Sequence, residues 1–303
     1  LAAPYHDIFR AIFCIVTAAA WVAAPYAAHQ VSRKPETAPP VLSEADKSWL
    51  SAQAARMYGY FRTYMNAENC WLPPDNYQVQ PAVGLARRTS PTNIGLAMLS
   101  ILGAVDLGIE PRETALDRLE LTAATLERME KWNGNLYNWY QTADALPMYP
   151  RRVSSVDSGN LIACLIALEE GLREMRMPRA DKLAARIQKL SREMRLAPLY
   201  DQERHLFRLG WDVEHNCPAE GYYDLLASEA RLTSYIAVAR GEVEMRHWGR
   251  LGRSLMGADG YRGLASWSGT MFEYLMPPLL LESYPNSLLY ESERFALYCQ
   301  KQR

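Results

Sequence analysis

Three acidic residues sit in segments unlike the rest of the chain: Asp157 in Ser154-Ser155-Val156-Asp157-Ser158-Gly159-Asn160, Glu229 in LLASEARL, and Glu273 in SWSGTMFEYLMP. Paired carboxyl groups suit glycosyl transfer, in which one protonates the leaving oxygen and the other acts as base or nucleophile. Glu229 lies among small and apolar neighbours. Desolvation there would raise its pKa and keep a general acid protonated near neutrality. The competing reading is a structural ion pair with Arg231 or with a neighbouring helix. Asp157 stands where a loop enters a helix, so an N-cap role competes. Thr270 and Glu273 fit a capping box, which competes with a carboxylate that grips sugar hydroxyls. Asn93 in TSPTNIG is either capping chemistry behind Pro91 or a group facing a ligand. Asp224 is a further cap or contact. Spacing alone makes none of these diagnostic.

The elements that must position these residues are mostly helices. Helical periodicity runs over 43–66, 92–107, 112–131, 158–176, 179–195, 223–240, 270–282 and 286–301; Leu116, Leu119, Leu126 and Met129 mark one apolar face. Gly108, Gly134, Gly171 and Gly241 fall near expected helix ends. Strand signals are sparse, the best being a short hairpin around 205–213. Long loops over 69–91, 132–157, 209–223 and 257–270 separate the helices. They carry unusual aromatic content, including Trp71, Trp132, Trp139, Trp211, Tyr222, Tyr223 and Trp267. Function is expected on those loops, over a helical scaffold.

Residues 11–28 carry no charge and reach the lower limit for a spanning helix, with Arg10 before them and Arg33 and Lys34 after. A transmembrane segment and its flank are therefore expected over 1–34, with a signal peptide as the rival. The basic pair would place the downstream domain on the cytoplasmic side. Pro35, Pro39 and Pro40 make 35–42 a linker, and Ser43 with Asp46 opens the first helix of a domain over 43–303.

Composition excludes more than it selects. With 33 basic and 34 acidic residues the net charge is -1, which gives no footing for nucleic acid. Five widely spaced cysteines and scattered histidines give neither a disulfide framework nor a metal site, and no cofactor motif occurs. SWSGT lacks the first glycine of a nucleophile elbow. Trp and Tyr number 8 and 18 against 6 Phe, a bias that suits sugar clefts as well as a hydrogen-bonded core.

WLPPDNYQ, RTSPTNIGLAMLS, LYNWYQT, VSSVDSGNLIACLIAL, YYDLLASEARLTSYIAVARGE, HWGRLGR and SWSGTMFEYLMP occur in this order. Together they resemble the transglycosylase middle region of cyclic β-1,2-glucan synthases, over about residues 43–303. The resemblance implies a mainly α fold, an (α/α)6 toroid of helical hairpins, and anomer-retaining closure of linear β-1,2-glucan into a ring. Glu229 matches a catalytic glutamate and takes the general acid/base role. Asp157, Glu273, Trp139, Tyr222, Tyr223, Asp224, Trp267 and Asn93 are expected to bind substrate. The family's second catalytic glutamate lies in an ISES-like motif beyond FEYLMP that is not found here. The resemblance therefore implies a C-terminally truncated barrel, inactive alone, with glycosyltransferase and phosphorylase-like domains missing. It further implies residence in the inner membrane with the domain facing the cytoplasm. A β-1,2-glucan hydrolase and a non-catalytic glycan-binding module are the alternatives.

Overall fold

The computed structural model describes residues 3–32 and 41–302. Its first element is α1 (Ala3–Ser32), exposed over almost all of residues 7–30. Within it Asp7–Gln30 is long and apolar enough to cross a membrane. These 24 residues extend roughly 36 Å at helical rise, against a hydrocarbon core of about 30 Å. A signal helix near the N-terminus meets the same measure. Arg33, Lys34 and most of the expected linker lie outside the described residues.

Nine further helices occur among the described residues: α2 (Glu44–Tyr64), α3 (Pro91–Asp106), α4 (Arg112–Arg128), α5 (Ser155–Glu174), α6 (Pro178–Glu193), α7 (Ala230–Ala239), α8 (Arg246–Arg250), α9 (Met271–Leu275) and α10 (Leu288–Lys301). Ser43 and Asp46 form the capping box that starts α2. Helix α5 is buried on nearly all faces, which marks it as central. In α6 the buried residues Ala180, Leu183, Ala184, Ile187 and Leu190 form one stripe, as an outer helix requires.

Close approaches set the direction of the inner helices. Gly95 of α3 meets Cys164 and Leu161 of α5, and further along Leu102 meets Gly171. Both contacts advance along both helices, so α3 and α5 run parallel. At Gly159 of α5 a methyl group would collide with the backbone and side chain of Thr233 on α7. The Thr233 hydroxyl donates to the Ser155 carbonyl at 3.2 Å, which locks the two N-termini together. Outer α4 and α6 are clipped by Arg179 to Glu113, Asp117 and Glu120, and by Arg186 to Glu127. The result is two layers of helices, with α3, α5 and α7 pointing their N-termini toward one end.

The loops at that end are more ordered than periodicity suggests. The region expected as one hairpin divides between two three-stranded sheets. Leu206–Arg208 pairs with Tyr200–Asp201 and Tyr222–Tyr223, whereas Gly210–Asp212 pairs with Arg152–Ser154 and Cys217–Pro218. Two-residue strands joined across distant sequence leave no alternation to read. The expected helix over 223–240 begins only at Ala230, because Tyr222 and Tyr223 are drawn into a strand and Leu225 bridges Gly252. The helix expected over 270–282 stops at Leu275, ahead of Pro277 and Pro278 in a 3-10 turn. Gly171, expected at a helix end, lies inside α5.

Gly159→Ala is expected to destabilise the fold by about 1–3 kcal/mol, since the rigid Thr233 backbone must move. Gly171→Ala meets only the end of the Leu102 side chain and should cost less. Thermal denaturation of the two variants checks the order.

Candidate active site

The N-terminal ends of α3, α5 and α7 carry the candidate residues. Pro91 occupies the first position of α3 and Ser90 caps it, accepting from the Asn93 amide. On α5 the cap is Ser154, whose hydroxyl accepts from the Asp157 amide at 3.2 Å. The capping role expected as a rival for Asp157 therefore belongs to Ser154, and the Asp157 carboxylate turns elsewhere. Its Oδ1 accepts from the Thr92 hydroxyl at 2.7 Å. In the amide orientation that satisfies both of its ends, Asn138 donates to Asp157 Oδ2 at 3.1 Å and accepts from Trp139 Nε1 at 3.3 Å.

Glu229 occupies the N-cap position of α7, half-buried. The preceding Leu226 and Ala227 sit in a small apolar cluster with Leu251, Leu264 and Tyr274, which holds the approach to Glu229. Burial first, then the charges of Asp157 and Glu273, push its carboxyl up to about 7, and the Asn160 amide works against them. Tyr223 is pushed up to about 12, mainly by burial and then by the charges of Glu229 and Asp157. The rival pairing with Arg231 is not made: Arg231 is buried and feels Glu293 instead.

Glu273 is also buried, but its surroundings differ. Its carboxylate accepts from the Ser266 hydroxyl at 3.0 Å, the Trp267 amide at 3.1 Å, and the Ser268 amide and hydroxyl at 3.0 and 2.7 Å. Thr270 completes a capping box with it. Burial opposes its ionisation, yet bonds from Ser268, Ser266 and Thr270 outweigh this and hold the carboxyl below its ordinary range. Glu273 thus organises the SWSGT loop while its charge acts on Glu229.

The remaining expected residues divide. Trp139 is half-buried, with the Arg88 guanidinium 4.7 Å from its ring. Asn93 donates to Asp75 at 3.1 Å, and Asp75 pairs with Arg88 at 3.2 Å, so both belong to the same polar wall. Tyr223 faces the acids. Its strand neighbour Tyr222 points to the opposite side, donating to Asp201 at 2.8 Å with Arg204 and Arg208 over its ring. Asp224 is exposed, and its carbonyl accepts from Gly252 at 2.6 Å. The Trp267 side chain is exposed, while its backbone amide donates to Glu273.

Sequence reading missed Thr92, Asn138, Asn160, Asp75 and Arg88. Asn160 was legible, since it lies three residues after Asp157 on one helix face. The others meet the acids only through long-range packing. Beside the acids opens a cleft of about 500 Å³, lined by Asn138, Arg152, Trp211, Asp212, Glu220 and Tyr223. Its floor includes Trp211, stacked on Trp132 with ring centroids 5.3 Å apart. The arrangement can exchange a proton at Glu229 and bind a neutral polyhydroxyl ligand between aromatic faces and amide groups.

No family model matches the chain. Across 91% of its length it is 30% identical to the cyclic β-(1,2)-glucan synthase NdvB of Rhizobium meliloti. The chain is homologous to one segment of a cyclic β-1,2-glucan synthase. It spans 14% of that protein's length. Among solved structures, the endo-β-1,2-glucanase of Chitinophaga pinensis, in complex with sophorotriose and glucose, aligns with a TM-score of 0.69 at 18% identity, covering 86% of this chain and 67% of that one. The endo-β-1,2-glucanase of Talaromyces funiculosus, in complex with sophorose, aligns with a TM-score of 0.67 at 13% identity, covering 83% and 61%. A putative glucoamylase of Bacteroides fragilis aligns with a TM-score of 0.68 at 22% identity, covering 88% and 67%, and with these likenesses the chain has a glucoamylase-like fold of the (α/α)6 type.

The Glu229 environment has a signature in stability. An acid whose folded pKa is raised is deprotonated in the unfolded chain first, so folding stability falls as pH rises from about 4.5 to about 7 and then levels. Glu229→Gln lacks this slope. Its melting temperature should gain on wild type across that window and hold the advantage above it, as measured by thermal melts at stepped pH.

Proposed function

We propose that this domain processes β-1,2-glucan by transglycosylation, closing a linear chain into a cyclic one with retention at the anomeric carbon, as part of a larger membrane synthase. The observation that carries the reading is Glu229, half-buried at the N-cap of α7 among Asp157, Asn160 and Tyr223 with its carboxyl pushed up to about 7, where Tyr223 also lines the neighbouring cleft. At that value the group can both donate and accept a proton near neutrality. Retention calls for two displacements: a second carboxylate bonds to the anomeric carbon as Glu229 protonates the departing glycosidic oxygen, and that bond breaks as the incoming hydroxyl of the same glucan attacks and gives its proton to Glu229. The ISES-like motif expected to supply the second carboxylate is not found in this chain. Asp157, positioned by Thr92 and Asn138, accepts a sugar hydroxyl and keeps Glu229 protonated by its charge. Trp139, Tyr223, Asn93 and the exposed Trp267 bind glucosyl units beside it. Tyr222 and Asp224 shape the strand that presents Tyr223. Glu273 holds the loop that closes the site.

The homology to a cyclic β-1,2-glucan synthase supports the substrate and the cyclising outcome. The likeness to endo-β-1,2-glucanases favours a second reading, hydrolysis of the same glucan on the same scaffold. Helix α1 supports anchorage in a membrane, for which we propose the inner membrane with this domain in the cytoplasm.

Incubation of the longer synthase that carries this domain with linear β-1,2-glucan, followed by mass spectrometry, tests the assignment, because this segment alone is expected to be inactive. A product lighter than its linear counterpart by one water is expected for cyclisation, whereas reducing oligosaccharides indicate hydrolysis. Glu229→Gln should lower turnover by about 10²–10⁴-fold, and turnover at the wild-type rate in that variant would overturn the assignment of Glu229.

A further inference from the structure

The Thr92 hydroxyl has a single proton, and its partners determine where that proton goes. Thr92 lies at the second position of α3, where Ser90 already caps the helix, so its side chain is free of capping duty. A threonine hydroxyl in a helix commonly bonds to the carbonyl one turn back. Here it reaches another helix and donates to Asp157 Oδ1 at 2.7 Å. With the proton spent, its oxygen accepts from Asn160 Nδ2 at 3.1 Å. Asn160 is 1% exposed, and its amide lies beside the Glu229 carboxyl. Thr92 takes one of the two amide hydrogens, and the other remains available to Glu229, whose ionised form the Asn160 amide favours. Two side chains, Thr92 of α3 and Asn160 of α5, thus lie between the carboxyl groups of Asp157 and Glu229.

We infer that Thr92 is a positioning residue: through Asn160 it aims an amide N–H at the Glu229 carboxyl, and so sets the proton affinity of that group against the charge of Asp157. This inference rests on the reading of Glu229 as the proton-transferring residue. The charged and titratable groups facing Glu229 are Asp157 from α5, Glu273 from α9 and Tyr223 from its strand. Burial raises its proton affinity most, and the charges of the first two add to it. Asn160 supplies the opposing donor. An unanchored amide could rotate or turn its buried carbonyl toward the acid. The Thr92 bond prevents this because Thr92, having given its proton to Asp157, can only accept.

The test is the titration of Glu229 in the full chain, followed by the carboxyl carbon signal of isotope-labelled glutamate and identified by its loss in Glu229→Gln. Thr92→Val keeps the shape and removes the hydroxyl, so the midpoint should move up by roughly one pH unit, a tenfold gain in proton affinity. Thr92→Ser retains the hydroxyl and should titrate with wild type. Asn160→Leu should move the midpoint up as well, and adding Thr92→Val to it should move it no further. Coincident titrations of the Val and Ser variants, or additive shifts in the double variant, would overturn the inference. Thr92→Ala provides the same comparison if Thr92→Val does not fold. Wild-type turnover in Glu229→Gln would remove the proton-transfer role of Glu229 and leave the titrations to judge the positioning role separately.

Discussion

The contact between Gly159 of α5 and Thr233 of α7 is the constraint on which the site depends. No side chain fits between the helices there, and the Thr233 hydroxyl bonds to the Ser155 carbonyl across the gap. Asp157 lies two residues from that glycine, and Glu229 lies four residues before that threonine. Pressing the backbones together therefore presses two carboxyl groups toward each other, at a cost that packing of the helices must cover. Burial of Glu229 disfavours its ionisation most, and the charges of Asp157 and Glu273 add to it, so the carboxyl keeps its proton up to about 7. The helix packing contributes the Asp157 part of this effect.

Helix direction sharpens this effect. Parallel α3, α5 and α7 bring three positive dipole ends to one place, each stabilising a nearby anion by about 0.3–1 kcal/mol. That alone would lower every acid in the cluster. The acids separate because their hydrogen-bond partners differ. Glu273 collects donors from four residues of its own loop and is held ionised despite burial. Glu229 has an apolar approach through Leu226 and Ala227 and the single opposing amide of Asn160. The same loop that satisfies Glu273 keeps its charge in place to act on Glu229.

Much of this was legible in the sequence and some was not, for physical reasons. The outer helices and α3 carry clear apolar periodicity, and their ends fell close to the expected positions. Glu229 stood out because a lone carboxyl among small apolar residues is costly unless it has a use. Tyr222 and Tyr223 were expected together, but strand alternation sends them to opposite sides, and the strand is too short for its pairing to be inferred from pattern. Thr92 and Asp157 are 65 residues apart. Their bond follows from helix packing at Gly95 and Gly171, which looks like ordinary helix interior when read along the chain.

The aromatic loops follow from the same geometry. A helical scaffold can deliver rigid acids from helix ends, but a flat platform for sugar rings needs extended backbone. The short sheets supply it: Gly210 lets its strand lie against the Val153 carbonyl where no side chain fits, which brings Trp211 beside Val153 in register. The next residue on that second strand, Ser154, is the cap of α5. One three-stranded sheet therefore carries the aromatic floor of the cleft and also fixes the start of the helix that bears Asp157.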